Sequence, residues 1–275
     1  MPLPKKEKGG GRRETMIYLT GDTHGVYGMT RFSPGNFPAG ERLSRDDLVV
    51  VLGDFGLFWS DPPTEPEREE LERLSSRPWT TLFLDGNHEN FTLLDALPQE
   101  ERFGAPVGVA APGVFHLKRG YVYTLEGRTC FVFGGARSLD RHGRTAGKSW
   151  WRREIPSEEE FRRGLDSLES AGWTVDWILT HTAPEGILRD TSLAKYLAGD
   201  PVSLYLEEIR KETDYGRWFC GHLHRNAYFP GERVHVLREN ILDGGTGDIV
   251  SVERNLPPLK ERLRTFRSRL PQQGD

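Results

Sequence analysis

The sequence predicts an α/β fold in which two packed β-sheets are flanked by helices. Three observations carry that prediction. Five short apolar runs recur along the chain: MIYLT (16–20), DLVVVL (47–52), WTTLFLD (79–85), DWILT (176–180) and RWFC (217–220). Their length and their Val, Ile, Leu and aromatic content suit strands buried on both faces. Helical patterns alternate with these runs toward both ends of the chain. Between them, VFHLKRGYVYTLEGRTCFVFGG (114–135) looks like consecutive strands, with turns at Arg119-Gly120 and Glu126-Gly127. Strand–helix alternation on either side of a meander is what two sheets covered by helices require.

The helices follow in order. PTEPEREELERL places Leu71 and Leu74 on one face, and FTLLDAL follows the third apolar run. Ser157 with Glu160 three residues later is a capping-box signal for a helix start. PVSLYLEEIRKE precedes the last run. A chain of 275 residues buries a full core, as one domain or one domain with an appendage. Residues 1–14, rich in Lys, Arg and Gly, are expected to be a flexible basic tail. The domain is expected over 15–255, with an insertion at about 137–153. A basic C-terminal helix or tail follows over 256–275, where Leu259, Leu263, Phe266 and Leu270 share a helical face suited to docking on the domain or, in the alternative, to binding nucleic acid or a partner protein.

Composition narrows the function. The net charge of −4 predicts no overall nucleic-acid or membrane surface, and no apolar run approaches the roughly 18–20 residues that span a bilayer. The N-terminus lacks the apolar core of a secretory signal. Cys130 and Cys220 lie inside apolar runs and are expected to be buried free thiols, in keeping with a cytoplasmic location.

The chemistry gathers where the runs end. Behind them stand Asp22 and His24, Asp54, Asn87 and His88, His181, and His222 with His224, so five of the eight histidines share one structural position. Carboxyl ends of strands are where α/β sheets place their ligands. Carboxylate, imidazole and amide oxygen without thiolate suit Mn²⁺, Fe or Zn²⁺. Two Asp, one Asn and four His exceed the roughly three protein ligands of a single catalytic zinc. Two ions about 3.5–4 Å apart would use them all. Gly21, Gly53, Gly86 and Gly221 let the backbone turn sharply beside them.

GDTHG, GDF, GNHE, TH and GHLH, in that order, resemble the calcineurin-like metallophosphoesterase superfamily over residues 16–250. The resemblance implies a four-layer αββα sandwich of two mixed β-sheets and a phosphoesterase holding two divalent ions, Mn²⁺ foremost. It implies that Asp22, His24 and His224 hold one ion and Asn87, His181 and His222 the other. Asp54 would bridge them together with a water or hydroxide, the attacking nucleophile. His88 would be the general acid or phosphate-orienting group, with Glu89 as its hydrogen-bond partner.

The phosphoprotein phosphatase branch extends its second block to GDxxDRG, whereas this chain reads GDFGLFWSD and lacks that arginine. The insertion GGARSLDRHGRTAGKSWWRRE (134–154) offers substitutes in Arg137, Arg141 and Arg144, Arg137 being the nearest to a strand end. Its GGAxSxDxxxR…WW pattern is similar to one set of small bacterial and phage members. The competing reading is a solvated loop anchored by two core tryptophans. The expected substrate is a phosphate mono- or diester, with a small molecule or nucleotide ahead of phosphoprotein or nucleic acid. A metal-binding interaction scaffold is the alternative outside enzymology. His116, His142 and His235 are not expected to be ligands.

Overall fold

The computed structural model describes residues 15–189, 191 and 198–251. The expected basic tail and C-terminal helix lie outside the described residues. The elements run β1 (Ile17–Thr20), β2 (Leu48–Val51), α1 (Glu65–Ser75), β3 (Thr80–Phe83), α2 (Phe91–Asp95), β4 (Gln99–Arg102), β5 (Ala105–Ala111), β6 (Val114–Leu117), β7 (Tyr121–Leu125) and β8 (Arg128–Phe133). They continue with α3 (Glu158–Ser170), β9 (Thr174–Thr180), α4 (Glu185–Arg189), α5 (Pro201–Glu212), β10 (Asp214–Cys220), β11 (Ala227–Phe229), β12 (Val234–Val236), β13 (Ile241–Asp243) and β14 (Ile249–Ser251). Among the described residues, one sheet has eight strands in the order β14-β13-β1-β2-β3-β6-β5-β4, the other six in the order β11-β12-β10-β9-β8-β7.

Alternation along the strands divides the apolar residues among three cores. Ile17, Leu19, Leu48 and Val50 meet Val132, Leu179 and Phe219 between the sheets. Tyr18, Val49 and Val51 point the other way, onto a layer with Met29, Phe32 and Leu74. Ile178 and Trp218 pack outward on Leu168, Leu206 and Ile209. Four layers, αββα, result. Each fully buried Leu, Ile or Val contributes roughly 1.5–3 kcal/mol, so a run apolar on both faces is favoured only where both faces are covered. Cys130 belongs to the central core and Cys220 to the outer one, and both are free.

Helix starts follow the expected chemistry. Ser157 accepts from Glu160 N–H while Glu160 accepts from Ser157 N–H, and Thr64 with Glu67 opens α1 in the same way. The meander departs from a simple succession of neighbours. β6 pairs with β3 in the larger sheet, whereas β7 and β8 lie in the smaller one. The Arg119-Gly120 turn therefore carries the chain from one layer to the other. A charged edge strand, β4, has no apolar run to announce it and is mostly exposed. Among the described residues, no helix is long and apolar enough to cross a membrane.

β1, β2, β3 and β6 run parallel, as do β8, β9, β10 and β12. That direction collects the residues following β1, β2, β3, β8, β9 and β10 along one rim.

Candidate metal centre

At this rim the chain leaves β1, β2 and β10 through strained backbone. His24 (φ 49°), Asp54 (φ 47°), His222 (φ 63°) and His224 (φ 48°) all occupy the left-handed region. For non-glycine residues this costs of order 1–3 kcal/mol each and persists where the surroundings hold it. Two glycines make the packing possible. Gly53 turns at φ 91°, and a Cβ on Gly86 would stand 2.0 Å from Asp54 Oδ1.

The structure draws the seven predicted ligands into two adjoining groups about Asp54. One donor atom each from Asp22, His24, Asp54 and His224 lies within 4.8 Å of the others. His24 Nε2 is 3.1 Å from His224 Nε2, which is 3.3 Å from Asp22 Oδ2. In the second group His181 Nε2 is 3.0 Å from Asn87 Oδ1, and the rings of His181 and His222 stand 4.9 Å apart. Asp54 faces both groups, with Oδ2 3.7 Å from His24 Nδ1 and Oδ1 3.5 Å from His181 Nε2. Among the described residues, Asp22 Oδ2, Asp54 Oδ2 and His222 Nε2 are buried without a hydrogen-bond partner. Burying unpaired polar atoms is costly, and divalent cations bound in the two groups would satisfy all three. The donor set therefore fits divalent metal.

Protonation agrees with that role. Burial raises the Asp54 carboxyl, but His181, His88 and His24 outweigh it and hold the group well below the usual carboxylate range. Desolvation, reinforced by His181, keeps His222 well below its ordinary value, so its imidazole is neutral. His181 Nδ1 lies 2.9 Å from Leu52 O and donates there, which turns Nε2 to the site. Against burial, Asp54 and then Asp22 raise its imidazole, so a cation there would take the place of a proton on Nε2.

Beside the two groups stands His88, whose N–H donates to Asp54 Oδ1 at 2.8 Å. Burial lowers its imidazole pKa against the pull of Asp54, and Arg144 lowers it further. Arg144 Nη2 is 2.6 Å from His88 Nδ1 and 2.5 Å from Asp140 Oδ2. Part of the insertion thus folds along the site. Trp151 helps to seat it, donating to Thr92 Oγ1 and meeting Trp59 edge-on.

Glu89 meets partners other than the His88 ring expected for it. The Glu89 carboxylate is turned to the backbone, accepting from Phe55 N–H at 2.6 Å and Gly56 N–H at 3.3 Å. Among the described residues no hydrogen bond joins it to the His88 ring. Burial, then Asp54, pushes its carboxyl well above the ordinary value. Arg137 donates to Ala198 O and Gly199 O, while Arg141 is exposed on a short turn. His116 sits 3.2 Å from Asp85, which also binds Arg119, and His235 stacks between Phe219 and Tyr228. His142 is exposed on the turn with Arg141.

Three residues at the site were not singled out from the sequence. Buried Arg31 donates to Gly21 O, Asp22 O, Gly28 O, Arg238 O and Thr20 Oγ1, fixing the exit from β1. Ser138 and Glu154 stand behind Asn87. A capping pair is readable from its spacing; these partners are far apart in the chain and carry no such signal.

A model of the calcineurin-like phosphoesterases matches residues 15–226, most of the chain. The chain belongs to that family. Phosphoester hydrolysis is the chemistry of this calcineurin-like phosphoesterase fold, and the rim carries a donor set fit for metal. A lariat debranching enzyme of Schizosaccharomyces pombe is 30% identical over 204 residues, covering 65% of this chain and 42% of that protein. The chain thus spans about two-fifths of that relative's length. Among solved structures, a phosphopantetheinyl hydrolase from Mycobacterium tuberculosis overlaps 82% of this chain and 88% of its own at 15% identity, with a TM-score of 0.41. A Staphylococcus aureus structure described as a 5'-nucleotidase, in complex with alpha-ketoglutarate, overlaps 92% and 57% at 13% identity, with a TM-score of 0.46. Overlaps of that size carry no functional argument.

Proposed function

We propose that this phosphoesterase hydrolyses a phosphate mono- or diester at a dinuclear metal centre. The observation that carries the reading is Asp54, one carboxylate with an oxygen toward each of two donor groups. Asp22, His24 and His224 would hold one ion, and Asn87, His181 and His222 the other, with Asp54 common to both. The thiolate-free set of three oxygen and four imidazole donors suits Mn²⁺, the ion expected foremost, as well as Fe and Zn²⁺. Two such ions supply an acidified water and positive charge for the phosphoryl oxygens.

The protein's own residues complete the chemistry. An Nδ1 that accepts from Arg144 leaves the His88 hydrogen on Nε2, from which the neutral imidazole would donate a hydrogen bond to the leaving or a phosphoryl oxygen. Asp140 steadies the Arg144 guanidinium, whose charge also suits a phosphoryl oxygen. Arg137 and Arg141 would act only as outer phosphate contacts. Glu89 shapes the Phe55-Gly56 turn beneath His88.

A small-molecule or nucleotide ester is the favoured substrate, since the arginine of the phosphoprotein phosphatase motif is missing. The similarity to a lariat debranching enzyme favours a nucleic-acid diester as the second reading. Two buried free thiols fit a reducing compartment such as the cytoplasm.

The test compares p-nitrophenyl phosphate with its bis-ester, in Mn²⁺ and in chelator. Release is expected with Mn²⁺ and should vanish with chelator; the preferred ester separates monoesterase from diesterase. Absence of release from metal-loaded protein would count against general esterase activity and favour the scaffold reading. His88→Ala is expected to retain both ions and to slow esters with poor leaving groups by about 10²–10⁴-fold. Loss of metal from that variant would instead make His88 a ligand.

A further inference from the structure

Asn87 is held by buried residues that the proposed reaction does not use. Its Nδ2 donates to Ser138 Oγ at 3.0 Å. The Ser138 hydroxyl donates to Glu154 Oε2 at 2.5 Å, and Ser138 N–H donates to Glu154 Oε1 at 3.0 Å. Asn87, Ser138 and Glu154 are only 4%, 2% and 1% exposed, so water does not compete freely for these bonds.

The direction of every hydrogen follows from the carboxylate. Ionised, Glu154 offers only lone pairs. The single hydroxyl hydrogen of Ser138 is therefore committed to Glu154, and Oγ faces Asn87 with lone pairs alone. Only the NH₂ end of the Asn87 amide can meet it. The oxygen is thereby turned to the other side, 3.0 Å from His181 Nε2. An aspartate would not need this device, because its two oxygens are alike. An asparagine has one oxygen, and turning the amide over would point two hydrogens at a cation.

We propose that Glu154 and Ser138 are positioning residues whose hydrogen-bond direction keeps Asn87 Oδ1 turned to the second metal position. The proposal rests on the reading of Asn87 as a ligand. It also ties the insertion to the metal centre, since Ser138 and Glu154 stand at its two ends. The same carboxylate that closes the loop orients the amide.

The experiment is a calorimetric Mn²⁺ titration of the metal-free full-length protein and three variants: Asn87→Ala, Ser138→Ala and Glu154→Gln. In Glu154→Gln the amide oxygen must stay with Ser138 N–H, which puts the new NH₂ against Ser138 Oγ. The serine hydrogen is then free for Asn87, and the relay is reversed. Ser138→Ala abolishes the preference without reversing it. Second-sphere changes of this kind typically weaken metal binding about 10–100-fold. The expected result is that weaker Mn²⁺ binding at one site in Glu154→Gln, a smaller loss in Ser138→Ala, and unchanged affinity at the other site. A merely structural role would lower the melting temperature or weaken both sites, without ranking the variants in this order, and would overturn the proposal. Wild-type affinities in both relay variants, with one site lost in Asn87→Ala, would overturn the relay and leave the ligand reading intact. Two wild-type sites in Asn87→Ala would overturn the ligand reading, and the relay with it. Should Glu154→Gln fail to fold, Ser138→Ala decides, and wild-type affinity there overturns the proposal.

Discussion

Asp54→Asn is expected to lose most bound metal and more than roughly 100-fold in turnover while keeping its fold. The substitution preserves shape. Asn Oδ1 can still accept the His88 N–H that now donates to Asp54 Oδ1 at 2.8 Å. The NH₂ then replaces Oδ2, the buried oxygen that has no hydrogen-bond partner among the described residues. A lone pair and most of a negative charge are exchanged for two hydrogens at the point shared by both donor groups. Changes one shell farther out already cost about 10–100-fold, so loss of the shared ligand itself should exceed that. Metal content by mass spectrometry and p-nitrophenyl ester turnover check it together. Near-normal turnover would remove Asp54 from the bridging role.

Arg31→Leu should be the most destabilising single change near the site, by roughly 3 kcal/mol or more. The guanidinium is 2% exposed and donates to four backbone carbonyls and the Thr20 hydroxyl. Leucine fills part of the volume but donates nothing. Each buried acceptor left unpaired costs about 1–3 kcal/mol, less where water reaches it. Against a typical total of about 5–15 kcal/mol, that loss is a large fraction. Urea unfolding in chelator measures it as a lower midpoint at constant slope. A change below about 1 kcal/mol would mean that the β1 exit is held by other contacts. Because Gly21 and Asp22 lie on this exit, Mn²⁺ affinity should fall as well.

These two residues differ in how far the sequence announced them. Asp54 follows an apolar run and sits in a Gly-Asp pair, so its position at a strand end was legible from local pattern. Arg31 sits in GMTRF with no periodicity or motif around it, and one of its partners, Arg238, is 207 residues away. The same distinction separates Ser157 from Ser138. The former caps a helix with a residue three positions on, a spacing that can be read directly. The latter acts between Asn87, 51 residues earlier, and Glu154, 16 later.

For the arginines, residue type alone was a poor guide. Arg137 is the nearest of the three to a strand end, yet its guanidinium meets the 198–199 backbone, while Arg144, deeper in the insertion, meets His88. A long side chain reaches whatever the loop's path brings near, and that path depends on anchors such as Trp151 and Glu154. Glu89 is similar. Its neighbour in sequence is His88, but the donors it meets in the fold are Phe55 N–H and Gly56 N–H.

By itself the sequence determined the strands buried on both faces, the αββα class, the family and the donor types assembled at the strand ends. Those properties are local, because burial on both faces demands an apolar run and coordination chemistry demands particular side chains just beyond it. Tertiary structure alone decided that β6 and β7 belong to different sheets, that four of the donors sit on left-handed backbone, and which hydrogen bonds hold them. Sheet partners and buried polar networks are settled by which distant segments meet, so no window of sequence contains them.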